Sequence, residues 1–188
     1  MPPSLFNYSL RTQFNEVCIV WNETGSRTTV RRIFLSGENK SASAFASANF
    51  PGVLPSANHA IKRLADEIII MLSGHVPDFN EDILDFRVCS GFQRKVLMEE
   101  RKIPGGVVLS YSQLALKLGI PSSARAAGNA LATNPFPLVI PCHRTIRADG
   151  RVGNYQGGST MKRALLEMEG ISFSASGKVL EERSKSPG

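Results

Sequence analysis

No stretch of this 188-residue sequence stays apolar for the roughly 20 residues that a membrane-spanning helix needs. The first ten residues, MPPSLFNYSL, hold neither the basic cluster nor the apolar run of a secretory signal. The expectation is a soluble protein that stays inside the cell, nuclear in a eukaryote and cytoplasmic in a prokaryote. Cysteine is scarce: Cys18, Cys89 and Cys142 lie far apart, with no Cys-x-x-Cys pair. An odd, scattered set excludes a disulfide framework and lacks zinc-cluster spacing. Ligands drawn from Cys18, His59, His75 and Cys89 would be equally scattered, so neither metal nor cofactor is expected. Acidic charge is short in one half only. Residues 1–85 carry 7 Lys/Arg against 9 Asp/Glu, a net −2, whereas residues 86–188 carry 15 against 7, a net +8. A basic excess confined to one half favours a polyanion-binding face there, with nucleic acid as the usual partner.

What is present divides in the same place. Residues 1–85 are expected to form a small scaffold domain of strands plus a helix. EVCIVWN (16–22) and TTVRRIFLS (28–36) are rich in β-branched and aromatic residues, with the turn signal Glu23-Thr24-Gly25-Ser26 between them. Residues 36–55, rich in Ser, Ala, Asn and Gly, predict a loop. Ser56 is the expected cap of a helix whose apolar residues Ile61, Leu64, Ile68, Met71 and Leu72 share one face, closed by Gly74. DILDFRV (82–88) is a candidate strand.

Residues 86–175 predict a second, mostly helical domain, with 176–188 as a flexible tail. Ser90 and Gln93 have capping-box spacing ahead of a helix carrying Phe92, Val96 and Leu97, which stops before Pro104-Gly105-Gly106. Ser110 and Gln113 repeat the box at SYSQLALKLG, where Leu114 and Leu118 supply the buried face and Gly119 the exit. Ile120 to Ser122 then lead into SARAAGNALA. Helix, short turn, helix is the helix-turn-helix pattern. The second helix is built from small residues, Ala124, Ala126, Ala127, Gly128 and Ala130, around Arg125. Small side chains mean tight packing in a core, or close approach to a nucleic-acid groove on a basic domain. The fold class is α/β (α+β).

The densest chemical signal is residues 134–170, NPFPLVIPCHRTIRADGRVGNYQGGSTMKRALLEMEG. A free thiol ionises near pH 8.5, so a nucleophilic Cys142 needs a base or a positive field. His143 and Arg144 beside it can supply one. Leu138, Val139 and Ile140 predict a buried strand ending at the cysteine. A bare Cys-His pair is more often a buried, inert cysteine next to a surface histidine; the surroundings here reverse that.

IPCHR, preceded by NPFP and followed by GRVGNYQGG and ALLEMEG, resembles the active-site signature of the O6-alkylguanine-DNA alkyltransferases, or methylated-DNA–protein-cysteine methyltransferases. IPGGVVLSYSQLA and ARAAGNALATNP resemble that family's earlier motifs in the same order, so the likeness covers about residues 90–170. The resemblance implies a methylated-DNA–[protein]-cysteine S-methyltransferase acting once per molecule, as a monomer, on double-stranded DNA containing O6-alkylguanine. It implies Cys142 as alkyl acceptor, His143 as base through a bound water, and Glu169 as the carboxylate that orients His143. Asn134 would brace the turn and Tyr111 would give the departing guanine a proton. Arg125 would fill the gap left by the extruded nucleotide, with Ala124, Ala126, Ala127, Gly128, Ser110 and Arg94 on the DNA side. Pro137, Thr145, Gly153, Asn154, Tyr155 and Gln156 would form the substrate pocket, the carbonyls of Cys142 and Thr145 reading the base. Two positions depart from the family. Gln156 replaces a small residue and is expected to turn to solvent, and Thr145 replaces an aliphatic one.

Two other classes compete. A helix-turn-helix regulator would need base-reading polar side chains that Ala124–Ala132 lacks, and a non-catalytic alkyltransferase-like protein would lack Cys142. A Cys-His thiol hydrolase would turn over, which a titration of activity against protein amount detects.

Overall fold

Six consecutive buried residues, Val17 to Asn22, place strand β2 (Asn15–Thr24) inside its sheet rather than at an edge. It pairs antiparallel with β1 (Leu5–Thr12) and β3 (Arg27–Leu35), and the second hairpin turns at Gly25-Ser26 as expected. A two-residue strand, β4 (Leu54–Pro55), adds parallel to β1 and gives the order β3-β2-β1-β4. The computed structural model describes residues 4–180. Its fold is mixed α/β, with this small sheet and six α-helices among the described residues. By their internal contacts these form two compact units. One runs to Val88 and takes in Pro135–Val139; the other comprises Cys89–Asn134 and Ile140 onward.

In the first unit, helix α2 (His59–Leu72) buries all five residues of the anticipated face, Ile61, Leu64, Ile68, Met71 and Leu72. Its cap is Asn58, not Ser56: the Asn58 side chain accepts from the Ile61 amide at 3.1 Å. The expected loop 36–55 holds a helix, α1 (Ala42–Asn49), capped by Ser41. Its serines suggested a loop, but Ala is the best helix former, and Ala42 and Ala46 are small enough to pack directly against Cys18, Val20 and Phe34. DILDFRV is not a strand. It makes two 3-10 turns, Glu81–Ile83 and Phe86–Val88, with a single bridge from Leu84 to Val30. Asp85 fixes it there, binding Arg31 and Arg87. Strand β1 lacks a sequence signal because only Leu10 of its eight residues is fully buried.

In the second unit, α3 (Gly91–Arg101) is capped by Ser90, but the reciprocal half of the box is absent. Gln93 instead donates to the carbonyls of Ala130 and Thr133, tying α3 to the end of α5 (Ala124–Ala132). Phe92 is exposed, and Val96, Leu97 and Glu100 are the buried residues of α3. Helix α4 (Tyr111–Lys117) has the complete Ser110/Gln113 box, and Gly119 follows it in the left-handed region. Helix α6 (Gly158–Met168) completes the unit. Strands β5 (Leu109–Ser110) and β6 (Thr145–Ile146) run parallel, over a cluster of Val108, Ile146, Leu166 and Ile171. Residues 176–180, expected to open a flexible tail, instead close a tight turn in which Phe173 bridges Val179. The rest of that tail, 181–188, lies outside the described residues. No helix among the described residues is long and apolar enough to cross a membrane.

Candidate active site

The predicted strand before Cys142 is a turn. Leu138 adopts the left-handed φ of +74°, and with Val139 it forms the turn. Cys142 opens a 3-10 turn, Cys142–Arg144, which β6 continues. Asn134 directly follows Thr133, the C-cap of α5, and is buried. Its side-chain amide donates to the Ile140 carbonyl and to Cys142 Sγ, both at 3.1 Å. One side chain thus fixes the turn and touches the sulfur.

His143 is fully buried, and its Nε2 lies 3.0 Å from Glu169 Oε1 at the C-cap of α6. Arg144 grips the same carboxylate through Nε and Nη2, at 2.7–3.1 Å, and donates from Nη1 to the Ile103 carbonyl at 2.6 Å. Gly106 allows this approach: with φ +76° it passes so close that a Cβ would sit 3.1 Å from the Glu169 carbonyl oxygen. Burial by itself would raise the Glu169 carboxyl. Hydrogen bonds and charge from His143 and Arg144 outweigh it and bring the group down to about 2. An ionised carboxylate only accepts, so the Nε2 of His143 carries the proton and Nδ1 keeps its lone pair. Nδ1 is buried and has no hydrogen-bond partner among the described residues. Burial also holds His143 below its ordinary range, against the pull of Glu169. His143 is therefore a neutral imidazole with an open basic nitrogen.

The positive field expected from His143 and Arg144 is not what acts on Cys142. Arg144 is engaged by Glu169, and burial pushes the thiol up to about 11, partly offset by the Asn134 hydrogen bond and the charge of Lys162. At neutral pH the resting group is a thiol. Tyr111, the first residue of α4, is likewise held protonated, up to about 12, by burial and by the charges of Cys142 and Glu100.

The remaining anticipated residues separate into groups. Arg125 and Ala126 are exposed on α5 and Ala124 is half-exposed, while Arg94 is exposed on α3. Ala127 is fully buried, so it packs the core and presents nothing outward. Gly128 makes room within the unit: a Cβ there would lie 3.5 Å from the Tyr111 ring. The Ser110 hydroxyl serves the cap of α4. Gly153 has φ +74°, with Tyr111 Oη 3.5 Å from its Cβ position, so backbone conformation requires glycine there. Tyr155 sits edge-on to His143 at 6.3 Å between ring centroids, its hydroxyl buried with no hydrogen-bond partner among the described residues. Asn154 is exposed and Gln156 half-buried, not turned fully to solvent. Pro137 is buried in the five-residue segment that belongs to the first unit. Thr145 is fully buried, and its carbonyl already accepts from Lys162 Nζ at 2.6 Å. The sequence reading missed Lys162, Glu100 and the Arg144 clamp, because lysine and glutamate in amphipathic helices ordinarily face water. Cys18, His59, His75 and Cys89 do not converge: among the described residues no three His, Cys, Asp or Glu are placed to hold a metal ion.

Residues 91–171 match the family described as 6-O-methylguanine DNA methyltransferase, DNA binding domain. The methylated-DNA–protein-cysteine methyltransferase of Methanothermobacter thermautotrophicus is 42% identical over 158 residues, 84% of this chain and 81% of that protein. Among solved structures, the O6-methylguanine methyltransferase of Mycobacterium tuberculosis superposes with a TM-score of 0.70 at 27% identity, covering 88% of this chain and 92% of that one. The M. tuberculosis OGT in complex with DNA also superposes at 0.70 and 27% identity, covering 87% and 92%.

Proposed function

The chain belongs to the methylated-DNA–protein-cysteine methyltransferase family, and on that premise we propose that Cys142 takes one alkyl group from the O6 atom of a guanine flipped out of duplex DNA. The activity is DNA repair by alkyl transfer to a protein cysteine, and DNA is the partner. The observation that carries the assignment to Cys142 is the pair of contacts around it. Asn134 donates to the sulfur, and the adjacent His143 is buried, neutral and backed by Glu169.

The proton inventory follows from that geometry. With the thiol near 11, a free thiolate is rare at neutral pH, so deprotonation accompanies attack instead of preceding it. The thiol proton passes through a water to Nδ1 of His143 as the S–C bond forms. The C–O6 bond breaks with its electrons on guanine, and Tyr111 donates the proton that makes guanine a neutral leaving group. His143 and Tyr111 are restored by proton exchange once the guanine has left. The thioether on Cys142 has no route back to a thiol, so each molecule acts once; the acting species in this reading is a monomer.

Within duplex DNA the O6 substituent is out of in-line reach, which requires extrusion of the nucleotide. Helix α5, with Ala124, Ala126 and the exposed Arg125, suits minor-groove approach, and Arg125 fills the gap. The flipped base would lie near Tyr111, Gly153 and Tyr155. Intact-protein mass spectrometry after incubation with excess DNA containing O6-methylguanine should show one added methyl, mapped to Cys142 and not to Cys18 or Cys89. Cys142→Ser should bind DNA and gain no mass. Label on another cysteine would reject the assignment, and repeated turnover would reject it in favour of the hydrolase reading.

A further inference from the structure

Glu100 is a glutamate with no exposure at all, on the face of α3 that enters the second unit. One carboxyl oxygen accepts from the Thr145 hydroxyl at 2.5 Å. The other is buried and has no hydrogen-bond partner among the described residues. Thr145 works from both ends. Its hydroxyl binds Glu100 and its carbonyl accepts from Lys162 Nζ at 2.6 Å. Lys162, on α6, is also fully buried, with its ammonium 5.9 Å from the Tyr111 ring centre. A buried carboxyl, a two-ended threonine and a buried ammonium thus form a ladder from α3 across β6 to α6.

Neither end of this ladder has a part in the proton inventory above. Burying a carboxyl with one oxygen unsatisfied is costly unless a cation offsets it. The charged groups that act on Glu100 are Lys162 and Arg144, and Arg144 is already paired with Glu169. Those that act on Cys142 are Lys162, which favours loss of its proton, and Glu100, which opposes it; Tyr111 and Tyr155, both raised by burial, are neutral phenols. We propose that Glu100 is a positioning residue for alkyl transfer: held by Thr145 opposite Lys162, its charge decides how readily Cys142 gives up its proton. The proposal rests on Cys142 being the alkyl acceptor. No new bond is made. When Glu100 is protonated, the Lys162 charge favours the thiolate uncontested; when Glu100 ionises, it cancels that charge and the thiol holds its proton more tightly. Burial, against the Thr145 hydrogen bond and the charge of Lys162, puts this switch at about 7, inside the physiological range.

The experiment measures the rate of Cys142 alkylation by iodoacetamide from pH 6 to 9, with the Cys142→Ser rate subtracted to remove Cys18 and Cys89. The rate should climb with pH, flatten where Glu100 ionises, then climb again. Burial holds His143 below its ordinary range, and a second bend from Lys162, near 8, persists in the variants, displaced to lower pH in Glu100→Gln because the Glu100 charge raises it. Glu100→Gln keeps an acceptor for Thr145 and removes the charge. It should abolish the first bend and raise the rate on its alkaline side by about tenfold, equivalent to one pH unit in the thiol. Thr145→Val removes the hydrogen bond that favours ionised Glu100 and should move the bend to higher pH, which keeps the test decisive if Glu100→Gln does not fold. A wild-type profile with no bend near 7, or folded variants with the wild-type profile, would overturn the proposal. Wild-type methyl uptake on Cys142, read by mass, is separate. Its failure would remove the acceptor assignment itself, whereas uptake with an unmoved profile removes only the role of Glu100.

Discussion

At the residue scale, Glu169 carries more than the orientation of one imidazole. Its carboxylate is shared by His143 and Arg144, and its folded value of about 2 lies below the ordinary 4.5. A group depressed on folding contributes stability that is complete above the unfolded value and is lost as pH falls through the folded one. The Glu169 contribution should therefore be full above about pH 4.5 and disappear towards pH 2. The shift corresponds to at most about 3 kcal/mol. Urea unfolding of wild type and Glu169→Gln at a series of pH values should show a gap that is widest near neutrality and closes in acid. A gap that does not change with pH would mean that lost packing, not lost charge, separates the two proteins. The same contacts decide the tautomer of His143, so the variant should also lose alkyl transfer while still binding DNA.

At the scale of elements, α4 and α5 hold the phenol and the arginine of the proposed reaction, and Gly128 sets their separation. A Cβ at Gly128 would meet the Tyr111 ring at 3.5 Å, an ordinary contact. Gly128→Ala should therefore fold normally and gain up to about 1 kcal/mol from helix propensity. Gly128→Leu must push the ring aside, at a cost of about 1–3 kcal/mol, and should slow transfer by displacing Tyr111. Denaturant titration of both variants, with transfer rates, checks this. Equal stability for Ala and Leu would show that the ring is not confined. Arg125 lies one turn away on the exposed side of α5. Arg125→Ala should slow repair of duplex DNA while sparing transfer from free O6-alkylguanine, which needs no extrusion. Equal losses on both substrates would assign Arg125 to folding or chemistry.

At the scale of the whole molecule, the net +8 of residues 86–188 against −2 for residues 1–85 predicts DNA binding through phosphates. Each neutralised phosphate contributes about −0.9 to the slope of log affinity against log salt. Affinity for undamaged duplex should fall steeply with salt and depend little on sequence; weak salt dependence with strong sequence preference would favour a regulator. Much of this was legible in sequence. The β2–β3 hairpin, the face of α2 and the Ser110 box rest on local spacing, and local hydrogen bonds and periodicity fix such features; the distant Glu169 was paired with the Cys-His-Arg run only by the family resemblance. What failed was the Ala/Ser helix α1, the turn at Leu138 and the half-made box at Gln93. For two of these a distant partner decided the outcome, the sheet for α1 and the end of α5 for Gln93. The charges of the site belong to the same class. Sequence alone determined that a thiol, an imidazole and a carboxylate are available. Only the tertiary structure decided that the thiol rests protonated, that Arg144 serves Glu169, and that Glu100 and Lys162 are buried beside them. Burial sets the cost of a charge and proximity sets its compensation, and both arise only when α3, β6 and α6 pack together.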